Sequence, residues 1–174
     1  GLVLLSPSQG IHEHWKAARR RGEPLEVAIV VGAPPVITYA AASKVSMDVD
    51  ELAVAGALAG EPIPVVRCKT SGILVPADAE IVLEGQISTE YLEPEGPFGE
   101  FLGHMHPVEM ARIMEIKCIT YRKDAIWASL MSQLAPSESS VMRRLGSEAM
   151  YLRQLRDEMG IKSVKRVVLP EPLL

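Results

Sequence analysis

Two glutamates flank a Gly-Pro-Phe-Gly tetrapeptide in the stretch PEGPFGEFLG, residues 94–103. Glu95 and Glu100 are these acids, and Pro97 with the two glycines predicts a loop, because proline fixes one φ angle and lacks an amide donor. Phe98 would be the apolar anchor of that loop. A carboxyl shielded from water has a raised pKa and can donate a proton to a reacting group. The alternative is a tight surface turn whose two glutamates are simply solvated.

A second group of candidate residues lies in QGIHEHW, where His12 and His14 are two positions apart. On a helix these side chains point about 200° apart, so at most one of them can ligate a given metal ion. The other ligands would come from distant segments, and the acidic candidates are Glu13, Asp48, Asp50 and Glu51. The alternative is a histidine on the helix surface or in the core.

Small residues form a third candidate site in GAPP and in AAAS, the latter at residues 40–43. Side chains of this size let a planar cofactor lie against the backbone. Tight packing between helices requires the same residue types, and the sequence leaves both interpretations open.

Helical signals lie at both ends of the chain. Residues 11–21 are good helix formers followed by Gly22, and VITYAAAS predicts a closely packed helix. ELAVAGALAG predicts a short helix with Asp48 or Asp50 as its N-cap and Gly60 at its end. SESSVMRRLGSEAMYLRQLRDEMG predicts an amphipathic helix that ends at Gly160.

Strand signals dominate the middle of the chain. LEVAIVV predicts a buried strand, and VKRVVL predicts a last one. Between them, five runs punctuated by Pro, Gly and Asp predict an antiparallel barrel or sandwich: PVVRCKT, ILVP, AEIVLEGQIS, ARIMEIKCITYR and AIWASLMS. In EIVLEG the alternation puts Glu80, Val82 and Glu84 on one face of the strand.

Composition excludes several classes of protein. The chain has 174 residues, enough for one ordinary globular core, and its net charge of −4 is too weakly acidic to attract nucleic acid over the whole surface. Its apolar runs are interrupted well before the roughly 20 residues of a membrane-spanning helix. Cys68 and Cys118 form no C-x-x-C pair, which predicts reduced, buried thiols in a cytoplasmic protein.

The order of these motifs resembles the UbiD family of reversible decarboxylases, which use prenylated FMN. The resemblance rests on GIHEHW, VAIVVGAPP, DELAVAGALAGEPIPVVRCKT, VPADAEIVLEG, PEGPFGEFLG and ITYRKDAIW. It implies an α+β, mainly β fold, a split β-barrel with flanking helices that binds flavin. It also implies that residues 1–174 are the central domain of a longer enzyme, with 137–174 leading toward a C-terminal domain.

The resemblance implies roles for individual residues. Glu100 matches the proton-donating glutamate, and Glu95 matches its partner in the family's Glu-Arg-Glu network. His12 and Glu51 match ligands of a metal, usually Mn²⁺, that bridges to the cofactor phosphate, and K⁺ is a further candidate ion. Flavin contacts are expected from Gln9, Ala41, Ala42 and Ser43. The family's Arg and Asn site residues would precede residue 1.

The implied function is non-oxidative, reversible decarboxylation of an aromatic or α,β-unsaturated carboxylic acid. The implied partners are that small-molecule substrate, further copies of the full-length chain in a dimer or hexamer, and a flavin prenyltransferase that supplies the cofactor. Two alternatives stay open. One is a non-catalytic flavin- or subunit-binding component of a split carboxylase, and the other is a hydrolase that uses two acids with water and no coloured cofactor.

Overall fold

The computed structural model describes residues 2–3, 5, 10–43, 45, 49–99, 104–131 and 136–170. The chain divides into two compact units. The first unit consists of Gly1–Pro34, Ile63–Pro97 and Pro107–Ala128, and the second consists of Pro35–Pro62, Phe98–His106 and Ser129–Leu174.

Helices and strands alternate irregularly along the chain. In chain order the elements are β1 (Leu2–Val3), α1 (Gly10–Arg21), β2 (Leu25–Val31), α2 (Pro35–Ala42), α3 (Glu51–Ala59), β3 (Val65–Arg67), β4 (Leu74–Pro76), β5 (Ile81–Glu95), β6 (Phe98–Gly99), β7 (Met105–His106), β8 (Glu109–Tyr121) and α4 (Glu138–Arg153). A π-helical turn, Gln154–Glu158, continues α4.

The first unit is built on a four-stranded antiparallel sheet in the order β1-β8-β5-β2. β3 and β4 form a separate antiparallel pair. The register of β5 against β8 shifts after Glu84, and there a Cβ on Gly85 would run into the backbone carbonyl of Glu115. Only glycine therefore fits at this bulge.

Alternation along β5 explains where part of the core lies. Val82 and Glu84 point to the same side of the strand and are buried, whereas Ile81 and Leu83 on the other side are half-buried. Val82 packs with Cys68 and with Val75 of β4. A second core cluster in this unit brings α1 onto the sheet and consists of Leu5, Trp15, Ile87 and Met114.

The predicted ends of the first and third helices are confirmed. Gly22 and Gly60 adopt the left-handed conformation after α1 and α3, with φ of 71° and 78°. At the start of α3 the cap is Asp50, whose carboxylate accepts a hydrogen bond of 2.8 Å from the Leu52 amide. Asp48, the other predicted cap, lies outside the described residues.

The second unit contains the three remaining helices, in which α2 packs against α3 and α4. Ala40 and Ala55 are buried in this packing. A capping box begins α4, since the Ser137 hydroxyl accepts from the Ser140 amide and the Ser140 hydroxyl accepts from the Ser137 amide. The pair β6–β7 also belongs to this unit.

Three expectations differ from the structure. The mixed α and β character is confirmed, but helix and strand contribute about equally rather than mainly β, and the strands of the described residues close into no barrel. AIWASLMS and VKRVVL contain no strand over residues 125–131 and 164–169. The segment around Glu95, predicted as a loop, is the end of a long strand followed by the short pair β6–β7.

None of the helices in the described part of the chain combines the length and the apolar character needed to cross a membrane.

Candidate functional site

Glu95 is positioned by the sheet of the first unit. It is the last residue of β5 and lies opposite Glu109 of β8 in the antiparallel register. Its side chain is half-buried. Cross-strand pairing holds the backbone of Glu95 in place, so this acid does not lie on a freely mobile turn.

Phe98 does not form the buried anchor that the sequence suggested. Its side chain is 40% exposed, and its ring stacks on His106 with a centroid separation of 4.9 Å and an angle of 5° between the planes. The two residues are register partners of β6 and β7. Backbone pairing and aromatic stacking, rather than burial, hold this part of the motif.

Two of the predicted site residues lie outside the described part of the chain. They are Glu100, the expected proton donor, and Gln9, an expected flavin contact. Their roles remain predictions from the resemblance.

His12 lies on α1 in the first unit and is half-buried, whereas His14 is exposed. The His12 ring stacks on Trp15 with a centroid separation of 5.9 Å and an angle of 26°. Among the described residues, its Nδ1 atom is buried and has no hydrogen-bond partner. A buried ring nitrogen with unused bonding capacity is chemically suited to a metal or a polar ligand group.

The surroundings of Trp15 hold that ring firmly. Trp15 is 4% exposed, and its indole Nε1 donates a hydrogen bond of 3.0 Å to the Ser88 carbonyl. The Arg112 guanidinium of β8 lies 3.7 Å from the ring centroid, and that of Arg19 lies 5.3 Å away. Burial lowers the pKa of Arg112, and the nearby charge of Arg19 lowers it further.

Glu51, the other predicted metal ligand, is the first residue of α3 in the second unit and is exposed. It follows the capping residue Asp50 at a helix N-terminus, where a carboxylate is favoured by the helix dipole. Within the described ranges, no group of three His, Cys, Asp or Glu side chains converges as metal ligands.

The small residues of α2 have mixed surroundings. Ala41 and Ala42 are exposed, whereas Ser43 is half-buried and its hydroxyl donates a hydrogen bond of 2.9 Å to the Tyr39 carbonyl. A Cβ placed on Gly146 of α4 would lie 3.0 Å from the Ser43 Oγ atom. Ser43 therefore takes part in close helix packing, the alternative that the sequence left open, while Ala41 and Ala42 present small side chains to their surroundings.

Glu84, by contrast, is a buried acid whose hydrogen bonds stabilise the fold. It is 2% exposed. Its carboxylate accepts hydrogen bonds from the Lys69 amide at 2.8 Å, the Thr70 amide at 2.7 Å and the Thr70 hydroxyl at 2.6 Å. Burial disfavours the charged form, but these hydrogen bonds outweigh it and hold the pKa of Glu84 below its usual value. Glu84 is thus an ionised clamp for the turn after β3.

A cavity of about 220 Å³ in the first unit has Glu84 and Cys68 among its lining residues and contains none of the predicted site residues. Cys68 and Cys118 are free thiols, as predicted, but only Cys68 is buried, whereas Cys118 is half-buried. Burial raises the pKa of the Cys68 thiol, and the charge of Glu84 raises it further, so this thiol is protonated at neutral pH.

Sequence reasoning missed the residues that surround His12. Trp15 could have been found, because it lies three positions after His12 on a predicted helix and shares its face. Arg112 could not, because only the pairing of β8 within the sheet brings it to α1.

Comparison with known proteins identifies the family. The model of UbiD, the 3-octaprenyl-4-hydroxybenzoate carboxy-lyase Rift-related domain, matches residues 1–134. The chain belongs to the UbiD family. The UbiD match includes the segments with His12, Glu51 and Glu95.

The relatives of the chain include named decarboxylases. Phenolic acid decarboxylase of Bacillus subtilis is 37% identical over 151 residues, which is 87% of this chain and 32% of that protein. Pyrrole-2-carboxylic acid decarboxylase of Pseudomonas aeruginosa is 38% identical over 130 residues, 74% of this chain and 26% of that protein. The chain therefore spans about a quarter to a third of the length of these relatives.

Solved UbiD structures share the fold. HmfF from Pelotomaculum thermopropionicum, a UbiD-class enzyme in complex with FMN, matches with a TM-score of 0.86 and 31% identity, covering 98% of this chain and 37% of that one. An evolved dimeric form of HmfF in complex with prFMN matches with a TM-score of 0.86 and 31% identity, covering 98% of this chain and 39% of that one.

Proposed function

We propose that this chain is the flavin-binding part of a UbiD-type decarboxylase that acts reversibly on an aromatic or α,β-unsaturated carboxylic acid with prenylated FMN. The observation that carries the proposal is the likeness in fold, over 98% of the chain, to HmfF in complex with prFMN. The names of the Bacillus and Pseudomonas relatives support the reaction class.

In this proposal, Glu100 is the proton donor. Prenylated FMN, when bound, supplies an electron sink for the bond that breaks as carbon dioxide leaves. Glu100 then protonates the carbon that lost the carboxylate, so its carboxyl must be protonated at that moment. An apolar wall or a neighbouring negative charge would supply the raised pKa that this role requires. Glu95 is the partner acid, and its half-buried place at the end of β5 supports a fixed carboxylate.

His12 and Glu51 are the proposed Mn²⁺ ligands. A carboxylate oxygen is a donor that suits this ion, and a neutral imidazole nitrogen is a common metal ligand in proteins. The buried Nδ1 atom of His12, without a partner among the described residues, supports the assignment. Gln9 and the segment Ala41–Ser43 are the proposed flavin contacts, and K⁺ is a further proposed ion.

Replacing Glu100 by Gln tests the proton donor. We expect Glu100→Gln to lower turnover by at least about 10²-fold, because general acid catalysis contributes 10² to 10⁴. Flavin should still bind, since an amide of the same size preserves the shape of the site. The measurement is release of carbon dioxide from a panel of aromatic and acrylic acids by protein loaded with prenylated FMN, with flavin content read from absorbance.

Glu93→Gln is the control, because Glu93 is an exposed acid on the same strand as Glu95. It should retain full activity. Full activity in Glu100→Gln would refute the assignment of the proton donor. Turnover by this chain without any partner protein would exclude the alternative of a non-catalytic component of a split carboxylase.

Chelation tests the metal separately. Treatment with EDTA should lower the fraction of protein that retains flavin, and added Mn²⁺ should restore it, because His12 and Glu51 would hold an ion whose positive charge would favour the anionic cofactor. Flavin occupancy that is indifferent to both treatments would contradict the metal assignment. Assembly into a dimer or hexamer and supply of the cofactor by a flavin prenyltransferase complete the proposal. Light scattering and cofactor loading with and without that enzyme test them.

A further inference from the structure

The Arg112 side chain is half-buried, and its own hydrogen bonding does not explain this position. Its Nε atom is buried and has no hydrogen-bond partner among the described residues. Burial and the charge of Arg19 both lower the pKa of Arg112, so they both disfavour its charged form. A partly desolvated cation of this kind needs compensation from somewhere in the fold.

The Trp15 ring supplies that compensation. At 3.7 Å from the ring centroid, the Arg112 guanidinium is within the range of a cation–π interaction, which contributes about 0.5–2 kcal/mol depending on desolvation. Arg112 therefore holds the indole from β8, while the hydrogen bond from Trp15 Nε1 to Ser88 holds it from β5. Two strands of the same sheet thus fix the orientation of one ring on α1.

The ring that they fix is the surface on which His12 stacks. His12 and Trp15 are neighbours on one face of α1, with centroids 5.9 Å apart. The His12 Nδ1 atom has no hydrogen bond to any described residue that would orient the imidazole. In most metal sites a carboxylate or carbonyl hydrogen bond orients the ligating histidine. Among the described residues, the stack on Trp15 is the contact that can orient the His12 ring.

We propose that Arg112 is a positioning residue that acts through Trp15 to orient the imidazole of His12 for binding Mn²⁺. The inference rests on the proposed function, in which His12 is a metal ligand. Arg112 itself touches neither the substrate nor the metal in this proposal. Arg112 would restrict the orientations of the His12 imidazole before the ion binds. Less conformational entropy would then be lost on binding.

Arg112→Met tests the inference, because methionine keeps an apolar stem over the indole and removes the guanidinium. We expect the affinity for Mn²⁺ alone, measured by electron paramagnetic resonance titration of the chain, to fall about tenfold, at the lower end of the loss caused by removing groups that orient metal-ligating residues. Simple electrostatics predicts the opposite sign, since removing a nearby positive charge favours cation binding. A weaker affinity would therefore support positioning.

Two further variants serve as controls. Arg19→Met removes an exposed guanidinium 5.3 Å from the same ring centroid, and it should leave Mn²⁺ affinity unchanged or slightly increased. Arg112→Lys keeps the charge but loses the planar group that stacks on the indole. We expect its affinity to lie between those of the unchanged chain and Arg112→Met.

The position of the imidazole gives a readout that does not depend on metal. In the unchanged chain, the ring current of Trp15 should displace the proton resonances of the His12 imidazole, and Arg112→Met should move them toward values for a freely rotating histidine. Assignment uses His12→Gln, which removes these signals. Arg19→Met should leave them in place. Thermal unfolding of every variant separates a loss of stability from a loss of orientation.

The outcomes distinguish the inference from the proposed function. Loss of Mn²⁺ binding in His12→Gln, together with weaker binding and shifted imidazole signals in Arg112→Met, supports both. A second outcome is that His12→Gln abolishes Mn²⁺ binding while Arg112→Met changes neither the Mn²⁺ affinity nor the imidazole resonances of His12. This outcome overturns the positioning role of Arg112 alone. Mn²⁺ binding that His12→Gln leaves intact, or that the unchanged chain does not show, overturns the metal assignment and the inference with it.

Discussion

Glu84→Gln should destabilise the first unit although the substitution changes the side-chain shape very little. The Glu84 carboxylate is 2% exposed and accepts three hydrogen bonds, one at Oε1 from Lys69 and two at Oε2 from Thr70. A glutamine side chain has one acceptor oxygen and one NH₂ group. One of the two carboxylate positions must therefore be taken by a donor.

The magnitude follows from which position the amide oxygen takes. Placed at Oε2, it keeps both hydrogen bonds from Thr70, and the NH₂ group then faces the Lys69 amide, donor against donor. The Lys69 amide loses a hydrogen bond to a charged acceptor, and such bonds contribute about 1.5–3 kcal/mol. The remaining two bonds also weaken because their acceptor is no longer charged. We expect a loss of about 2–3 kcal/mol in the free energy of unfolding.

Urea unfolding followed by circular dichroism measures this loss, and a fall in Tm of roughly 5–10 °C should accompany it in a chain of this length. Glu115→Gln is the control, because Glu115 lies on the neighbouring strand β8 with its side chain 70% exposed, in an ion pair with Lys117. Exposed ion pairs contribute about 0–1 kcal/mol. The control should therefore change stability by less than about 1 kcal/mol.

The difference in free energy of unfolding between the unchanged chain and Glu84→Gln should depend on pH and become smaller in acid. The pKa of Glu84 is lowered in the folded state from an ordinary value of 4.5. The stabilisation is therefore fully present above pH 4.5 and is lost as the pH falls below it through the folded-state pKa. The two stabilities should converge in acid. Equal stability at pH 7, or a difference that does not narrow in acid, would refute this account of Glu84.

Two further substitutions probe other features of the fold. Gly85→Ala should lower Tm by an amount equivalent to more than about 1 kcal/mol, because the new Cβ would meet the Glu115 carbonyl. Gly72→Ala is the control and should change Tm little. Its added Cβ would meet only the tip of the Arg67 side chain, at 3.4 Å. Comparable melting of both variants would contradict the close approach at the bulge. Ser137→Ala should cost about 1 kcal/mol by removing the N-cap of α4. Ser139→Ala in the same turn should lower the free energy of unfolding by less than Ser137→Ala does. Equal losses in the two variants would show that the capping hydroxyl of Ser137 makes no specific contribution.

Local signals were sufficient for the elements that depend on local interactions. The ends of α1 and α3 were predicted from Gly22 and Gly60, because a left-handed residue terminates a helix by chemistry confined to its own turn. The strands β2 and β5 were predicted from apolar content and alternation. In the same way, the order of motifs was sufficient to name the UbiD family.

Apolar runs alone were insufficient where a strand needs a partner. AIWASLMS has the composition of a strand, but its described residues, 125–131, do not join the sheet. The backbone amide of Ile126 instead donates a hydrogen bond of 3.1 Å to the Glu80 carboxylate. Backbone groups can be satisfied by a side chain as well as by a neighbouring strand. Composition does not reveal which of the two will occur.

The tertiary structure alone decided the surroundings of the candidate residues. His12 and Glu95 could be named from their motifs, and alternation could place Glu84 beside Val82. Neither the stack of Arg112 on Trp15 nor the clamp of Glu84 on the turn at Thr70 follows from spacing, because each contact joins segments that are distant in the sequence and that only tertiary packing brings together. Sequence determines which groups are present, whereas burial and long-range contacts determine which of them are charged, oriented or held.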